Sequence, residues 1–281
     1  MKLLRHGPFG QERPAVLDKE GQVRDLSAHV DDIAGVWLTP EGLDQLRSID
    51  LASLPIVTTD RIGPCVGQVG KFLCVGLNFA DHAAETGATP PAEPILFMKA
   101  TSAIAGPNDP VTIPRGSTKT DWEVELGVVI GREARYVDLS EARSHIAGYC
   151  VINDLSERAF QLEGTGQWVK GKSADGFGPI GPWLVTADEV SDPQALAMSL
   201  SVNGEVMQRG STATMIFGVD HLVSYVSQFM SLQPGDIIST GTPPGVGLGL
   251  KPPRFLVPGD VIELGIEGLG RQRQQMVAWQ R

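Results

Sequence analysis

The stretch DWEVELGVVIG, residues 121–131, decides the expected fold of this 281-residue chain. Apolar side chains alternate along it from Trp122 to Ile130, which is the period of two that a β-strand shows. In such a strand every second residue after Trp122 faces one way, while Glu123 and Glu125 share the opposite face. The stretch therefore predicts a buried strand that carries two neighbouring carboxylates on one side.

Short strand-like runs separated by turn signals continue along most of the chain. The clearest pair is Ser199–Val202 and Glu205–Gln208, because Asn203-Gly204 between two such runs is a strong hairpin signal. One long helix is expected over Ile216–Phe229, where apolar residues recur at helical spacing. Strands outnumber helices without regular alternation, so we predict an α+β, β-rich roll or barrel-like core rather than a doubly wound sheet. The other candidate strands are Phe72–Val75, Ile95–Met98, Pro110–Ile113, Ala147–Asn153, Pro182–Val185, Asp236–Thr240, Val261–Leu264 and Gln274–Trp279. Nearer the N-terminus, the short apolar runs are Lys2–Leu4, Ala15–Leu17 and Val23–Leu26.

The chain is expected to divide near residue 66. Residues 1–66 form a small N-terminal α+β domain in this interpretation, with a short helix that Thr39 caps and Pro40 opens. The Gly- and Pro-containing segment Ile62–Gly67 would link it to a larger domain, residues 67–281.

Composition excludes several classes of function. The chain has 23 Lys and Arg against 33 Asp and Glu, a net charge of −10, so binding to nucleic acid or to an anionic membrane surface is not expected. Its apolar runs are shorter than the roughly 20 residues of a membrane helix, and we expect no signal peptide and a cytoplasmic location. The three cysteines lack a C-x-x-C spacing and are predicted to be small buried hydrophobic residues.

Asp154 is the expected third partner of the two glutamates. It follows the apolar run Gly148–Asn153 and precedes residues 155–161, which resemble the start of a helix. Three carboxylates with water would suit Mg²⁺ or Mn²⁺, and a hard cation would relieve the repulsion between neighbouring carboxylates. The pattern alone leaves alternatives open: the glutamates could line a solvated face, and Asp154 could simply cap the helix.

On that helix, Arg158 and Gln161 would share a face with Asp154, at spacings of four and three. Arg158 could then bind a substrate carboxylate, with Gln161 hydrogen-bonding beside it. The alternative is that both side chains are solvated.

His82 and Glu85 form a second candidate pair, ahead of the Ala-, Pro-, Gly- and Thr-rich stretch 86–94. On a short helix Glu85 could orient the imidazole and raise its basicity, as deprotonation of water requires. A mobile flank would let this helix act as a lid. A surface ion pair is the alternative meaning of this spacing.

Several separated motifs occur together in one order. They are Gly76–His82, Pro94–Lys99, Glu123–Gly131, Asn153-Asp154 with Arg158 and Gln161, Lys170–Ser173 and Ser239–Pro243. In this order and spacing the set closely resembles the fumarylacetoacetate hydrolase family, from about residue 70 to the C-terminus. The resemblance implies that family's mixed β-sandwich roll for residues 67–281, and the first 66 residues resemble the small N-terminal region of many members.

The resemblance also implies a role for each matched position. The matched metal ligands, for Mg²⁺ or Mn²⁺, are Glu123, Glu125 and Asp154. The matched water-activating dyad of the hydrolytic branch is His82 with Glu85, and Lys172 matches a lysine that stabilises the enolate left by bond cleavage. The matched substrate contacts are Arg158, Gln161 and Thr242. Without the resemblance, Lys172 could equally be an exposed lysine beside a Gly-rich loop.

The expected activity is hydrolysis of a C–C bond in a small 2,4-dioxo acid, with release of pyruvate. The substrate would be an acylpyruvate or a 2,4-dioxo-3-deoxy sugar acid, such as a rhamnonate or fuconate derivative. Alternatives within the family are an oxaloacetate decarboxylase, a ureidoglycolate lyase and a 2-oxo acid isomerase or hydratase. A non-catalytic, metal-stabilised binding protein is a further alternative of another class. The family also implies a homodimer.

Overall fold

Seventeen strands and five α-helices make up the regular structure of the residues that the computed structural model describes, 1–87 and 89–281, with Thr86 described by its backbone alone. The helices are α1 (Pro40–Arg47), α2 (Ala80–Thr86), α3 (Arg158–Leu162), α4 (Trp168–Lys172) and α5 (Val219–Ser227). The strands are β1 (Lys2–His6), β2 (Arg13–Leu17), β3 (Val23–Asp25), β4 (Phe72–Gly76), β5 (Ile95–Lys99), β6 (Ile104–Ala105), β7 (Val111–Ile113), β8 (Thr120–Asp121), β9 (Val124–Ile130), β10 (Ile146–Asn153), β11 (Ser156–Glu157), β12 (Gly178–Thr186), β13 (Ala197–Val202), β14 (Glu205–Ser211), β15 (Ile237–Ser239), β16 (Val261–Ile266) and β17 (Gly270–Ala278).

Two large mixed sheets form the framework. The described residues give a ten-stranded sheet in the order β3-β2-β1-β12-β10-β9-β15-β4-β5, with β6 added beside β12. A five-stranded sheet has the order β14-β13-β16-β17-β7, and β8 pairs separately with β11. The predicted β-rich α+β class is therefore confirmed.

Strand β9 lies in the middle of the ten-stranded sheet and is buried on both faces. Leu126 and Val128 belong to a core that also contains Leu200 and Leu264 of the five-stranded sheet, whereas Val129 belongs to a second core on the other face. The predicted alternation is confirmed over this strand. Because both faces are covered, the second face cannot be the solvated one that the sequence left open.

The ladder of β9 begins two residues later than predicted. At Trp122 the backbone N–H is bonded by the Asp121 side chain, and at Glu123 the N–H meets the Asn153 amide oxygen at 3.3 Å. These side-chain contacts replace strand pairing at residues 122 and 123, so β9 starts at Val124 and the short strand β8 lies before the predicted start.

Three local predictions are confirmed. Asn203, at a φ of 52°, and Gly204, at 82°, form the turn between β13 and β14, whose left-handed backbone Asn and Gly tolerate best. The Thr39 hydroxyl accepts a hydrogen bond from the Gly42 N–H, and Pro40 opens α1. All three cysteines, Cys65, Cys74 and Cys150, are free and buried.

Two helix predictions need correction. The predicted helix over Ile216–Phe229 shortens to α5, because the N–H groups of residues 216 and 217 bond to Asn78. The predicted helix after Asp154 starts only at Arg158, and Glu157 caps it by accepting from the Ala159 N–H. Asp154 is therefore neither that helix's cap nor on its face.

Residues 1–66 contribute β1, β2 and β3 to the ten-stranded sheet, since β1 pairs with β12 through Lys2↔Val185 and Leu3↔Leu184. The division into domains at residue 66 stays a prediction. No helix of the described ranges, 1–87 and 89–281, is both long enough and apolar enough to cross a membrane.

Candidate metal centre and active site

Three carboxylates meet at the adjacent ends of β9 and β10. These strands are antiparallel, with Glu125 opposite Ile152 and Val124 opposite Asn153, so Glu123 before β9 and Asp154 after β10 lie side by side. One oxygen of each of Glu123, Glu125 and Asp154 lies within 4.8 Å of the others, and all three side chains are buried. The geometry thus brings together the three acidic residues that the sequence singled out.

Buried cations hold two of these carboxylates. The Lys172 ammonium donates to Glu123 Oε2 and to Asp154 Oδ2, both at 2.6 Å. Lys99, itself fully buried, donates to the other Asp154 oxygen and to the Leu155 carbonyl. The Arg158 Nη2 donates to Glu123 Oε1 at 2.7 Å. Glu123 and Asp154 are therefore fixed by charge-assisted hydrogen bonds.

The third carboxylate, Glu125, has no cation within hydrogen-bonding distance among the contacts of the described residues. Its Oε2 accepts from the Ser239 hydroxyl at 2.6 Å and from the Gly241 N–H at 2.9 Å. Burial and the negative charges of Asp154 and Glu123 raise the pKa of Glu125 to about 8. Glu123 differs: burial opposes its ionisation, but Lys172 and Arg158 outweigh it and lower its pKa to about 2.

The donor set fits a hard divalent cation. When Glu125 is ionised, the four carboxylates of Asp121, Glu123, Glu125 and Asp154 carry one negative charge more than the cations Lys99, Lys172 and Arg158 neutralise. Crowded oxygen ligands of this kind, in a buried site, are those that Mg²⁺ and Mn²⁺ prefer.

His82 and Glu85 pair as the sequence predicts. Both lie on α2, which follows β4, and His82 Nδ1 is 3.1 Å from Glu85 Oε2. The Glu85 carboxylate also accepts from the Gly245 N–H at 3.1 Å, which ties α2 to the Gly-rich loop after β15. The predicted lid stretch 86–94 includes Ala88, which lies outside the described residues.

Arg158 and Gln161 lie one helical turn apart on α3 and bond to each other, Nη1 to Oε1 at 3.0 Å. Arg158 additionally donates from Nε to Asp121 at 2.8 Å. The Thr242 hydroxyl donates to the Val124 carbonyl at 2.9 Å and accepts from Gln208 at 2.8 Å. Arg158 and Gln161 thus share one hydrogen-bonded network, and Thr242 is held separately but lines the same cavity. The substrate-binding role of all three residues stays a prediction.

Two buried residues of this network were not singled out from the sequence. Asp121 accepts from Arg158 and from the N–H groups of Trp122, Gly247 and Leu248, and so connects α3 to the loop at residues 247–249. Lys99 ends β5 and reaches Asp154. Asp121 belongs to the stretch 121–131 and Lys99 to the motif Pro94–Lys99. The sequence offered one sign of their role, an ionisable side chain at the end of a predicted buried strand.

A cavity of about 390 Å³ opens onto this network. Its lining includes His82, the three carboxylates, Lys172, Arg158, Gln161 and Thr242. A larger groove, about 710 Å³, is lined by Trp183, Arg209 and Arg271 among others, and shares no lining residue with the carboxylate cavity. The chemistry therefore points to the smaller cavity.

Comparison with known proteins agrees with this geometry. The family model for the fumarylacetoacetate (FAA) hydrolase C-terminal domain matches residues 71–277 of the sequence. The chain belongs to the fumarylacetoacetate hydrolase family. A provisionally named hydrolase of Burkholderia orbicola (strain MC0-3) is 60% identical over 277 residues, 98% of both chains.

Two solved structures of family members extend over the full chain. Maleylpyruvate hydrolase from Sphingobium sp. SYK-6, in complex with manganese(II) and pyruvate, is 28% identical with a TM-score of 0.82 and 100% coverage of both chains. A 2-hydroxyhepta-2,4-diene-1,7-dioate isomerase from Mycobacterium marinum is 33% identical with a TM-score of 0.74, again with 100% coverage of both. The chain is thus similar to enzymes of two reaction types, hydrolases and isomerases.

Proposed function

We propose that this family member is a Mg²⁺- or Mn²⁺-dependent hydrolase that cleaves the C3–C4 bond of a 2,4-dioxo acid and releases pyruvate. The observation that carries the proposal is the cavity that His82, paired with Glu85, lines together with three buried carboxylates and Lys172. The manganese(II) and pyruvate bound by the related maleylpyruvate hydrolase support the choice of metal and of product.

Glu123, Glu125 and Asp154 would hold the metal ion. When bound, the ion supplies Lewis acidity that polarises the 2-oxo group of the substrate. Arg158, Gln161 and Thr242 line the same cavity and would orient the carboxylate of the 2-oxo acid.

Water addition falls to the dyad. His82 accepts a proton from water, Glu85 stabilises the imidazolium that forms, and the oxygen adds to the C4 carbonyl of the substrate. The Gly245 N–H group keeps the Glu85 carboxylate in place beside the ring.

Bond cleavage leaves an electron pair on C3. The adduct collapses to a carboxylic acid, the C3–C4 bond breaks, and its electrons form the enolate of pyruvate. The Lys172 ammonium stabilises this negative charge, and a proton returned to C3 completes pyruvate. In total one water is consumed, and one pyruvate and one carboxylic acid form.

The test is pyruvate release from a 2,4-dioxo acid, followed by coupling to lactate dehydrogenase. We expect turnover with Mg²⁺ or Mn²⁺ and its loss with EDTA. His82→Ala is expected to lower kcat by about 10²- to 10⁴-fold, as the loss of a general base does. The control is His29→Ala, at an exposed position remote from the motifs. Full activity in His82→Ala, or no pyruvate from any 2,4-dioxo acid, would contradict the proposal.

Isomerisation of an unsaturated 2-oxo acid is the second candidate, favoured by the similarity to the Mycobacterium marinum isomerase. It conserves the carbon skeleton, so mass spectrometry of the product separates it from hydrolysis. Oxaloacetate decarboxylation would release CO₂, and ureidoglycolate lysis would release urea. A merely structural metal ion would raise the melting temperature without any product. A cytoplasmic homodimer remains the expected assembly and location.

A further inference from the structure

The cavity at the candidate site has two ends of different chemistry. The polar end holds the carboxylates, Lys172 and Thr242. The apolar part of the lining, here called the apolar wall, comes from three elements and one turn: Ile95, Phe97, Leu162, Trp168 and Leu248. A substrate that places its 2-oxo acid at the polar end must therefore place its acyl group along hydrocarbon.

The side chains of this apolar wall are packed against one another and against β4. Phe97 and Trp168 meet edge to face, with ring centroids 5.3 Å apart and planes at 68°. Gly76 allows the indole to lie against β4, because a Cβ at that position would come within 2.6 Å of Trp168 Cζ3. The Lys172 ammonium lies 5.0 Å from the Phe97 ring centroid, so the wall begins directly at the polar end.

The rim of the wall is apolar as well. Leu162 is 47% exposed and Ile95 is 38% exposed, and both still line the cavity. Hydrocarbon thus lines the cavity from Phe97, beside Lys172, to side chains that are themselves partly exposed to solvent.

The cations of the described lining are already paired. Arg158 donates to Asp121, Glu123 and Gln161, and Lys172 donates to Glu123 and Asp154. His82 faces Glu85. A second substrate carboxylate, placed against the apolar wall, would lose hydration without gaining a counterion there, which is costly.

We propose that the substrate is a 2,4-dioxo acid with a single carboxylate, whose acyl group ends in an apolar group that packs on Phe97, Trp168 and Leu162. This inference rests on the proposed function and narrows it. Alkyl acylpyruvates meet it, and so do the rhamnonate and fuconate derivatives, which end in a methyl group. Substrates with a carboxylate at the far end do not.

A matched pair of substrates tests it. 2,4-Dioxoheptanoate and 2,4-dioxoheptanedioate have the same chain length and differ only in a methyl group or a carboxylate at C7. With Mn²⁺ present, we expect kcat/KM to be at least about tenfold higher for the monoacid, since the site cannot pair the second charge. Equal rates, or a preference for the diacid, would overturn the inference and leave C–C hydrolysis standing. If neither compound yields pyruvate, the proposed function and this inference both fail.

Two variants locate the contact. Leu162→Arg places a cation at the far wall and is expected to raise kcat/KM for the diacid by at least about tenfold relative to the monoacid. Val169→Arg is the control, because Val169 is 44% exposed on the neighbouring helix α4 and outside the cavity lining. An unchanged substrate ratio in Leu162→Arg, or the same change in Val169→Arg, would contradict a role for the wall. Should Leu162→Arg fail to fold, the ratio in the unaltered enzyme still decides.

Discussion

At the residue scale, Asp121 is the buried charge whose loss we expect to matter most. It is fully buried and pairs with Arg158 at 2.8 Å while accepting three backbone N–H groups. Asp121→Asn leaves Arg158 with one carboxylate fewer, so we expect the free energy of unfolding to fall by about 2–4 kcal/mol. Urea unfolding measures it.

The matched control for that change is Asp44→Asn. Asp44 is 75% exposed and pairs with Arg47 three residues further along α1, so a change within about 0.5 kcal/mol is expected. Equal losses in the two variants would show that the buried network adds nothing to stability.

His6 gives a pH prediction away from the site. Burial lowers its pKa, against the raising effect of Asp25, and Arg13 adds to the lowering. The unfolded chain then binds a proton at a higher pH than the folded one, so the stability contributed by neutral His6 is present above about 6.5 and lost as pH falls below it. We expect the unfolding free energy of the unaltered protein to fall more steeply between pH 7.5 and 5.5 than that of His6→Leu. Parallel pH profiles would contradict this assignment.

Residue chemistry was predictable where the chain itself carried a pattern. Glu123 and Glu125 were recognisable because they interrupt an apolar strand at alternate positions, and His82 with Glu85 because they are three residues apart. Asp121 and Lys99 were not, since their partners lie 37 and 55 residues away in sequence. Contacts between residues so distant in sequence become visible only once the pairing of the strands is known.

At the element scale, the N-cap of α1 offers a local test. Thr39 accepts a hydrogen bond from the Gly42 N–H at 3.2 Å. Thr39→Ala removes that acceptor and is expected to cost about 1 kcal/mol, with kcat unchanged. Thr39→Ser keeps the hydroxyl and should retain most of the stability. Chemical denaturation of both variants measures the difference, and a stable Thr39→Ala would mean that packing alone holds α1.

Helices and turns were predictable where neighbouring residues in the sequence determine them. The ends of elements were not predictable where residues distant in sequence determine them. The Asn203-Gly204 hairpin forms as its turn residues demand. The helix after Asp154 begins late because Ser156 and Glu157 first pair with Thr120 and Asp121. That pairing leaves Asp154 at the end of β10, where it joins the glutamates instead of capping a helix.

At the scale of the whole molecule, linkage to metal is a direct consequence of the proposed site. A ligand that binds only the folded state at 100 times its Kd adds about 2.7 kcal/mol of stability. We expect Mn²⁺ to raise the melting temperature and EDTA to reverse it, with no such shift in Asp154→Asn. A shift of equal size in that variant would place the ion elsewhere.

The second core, which contains Val129, combines residues from both sides of residue 66. Leu26, Ile33 and Leu46 pack there with Val129 and Ile152 of the central strands. Removing residues 1–66 would expose this face and uncover the edge of β12, so we expect residues 67–281 alone to be insoluble. In the full chain the shared core should couple the two parts, and calorimetry should show one transition whose calorimetric and van't Hoff enthalpies agree. Two separate transitions, or a soluble and active fragment, would show instead that the larger part folds independently and that the shared core contributes little to it.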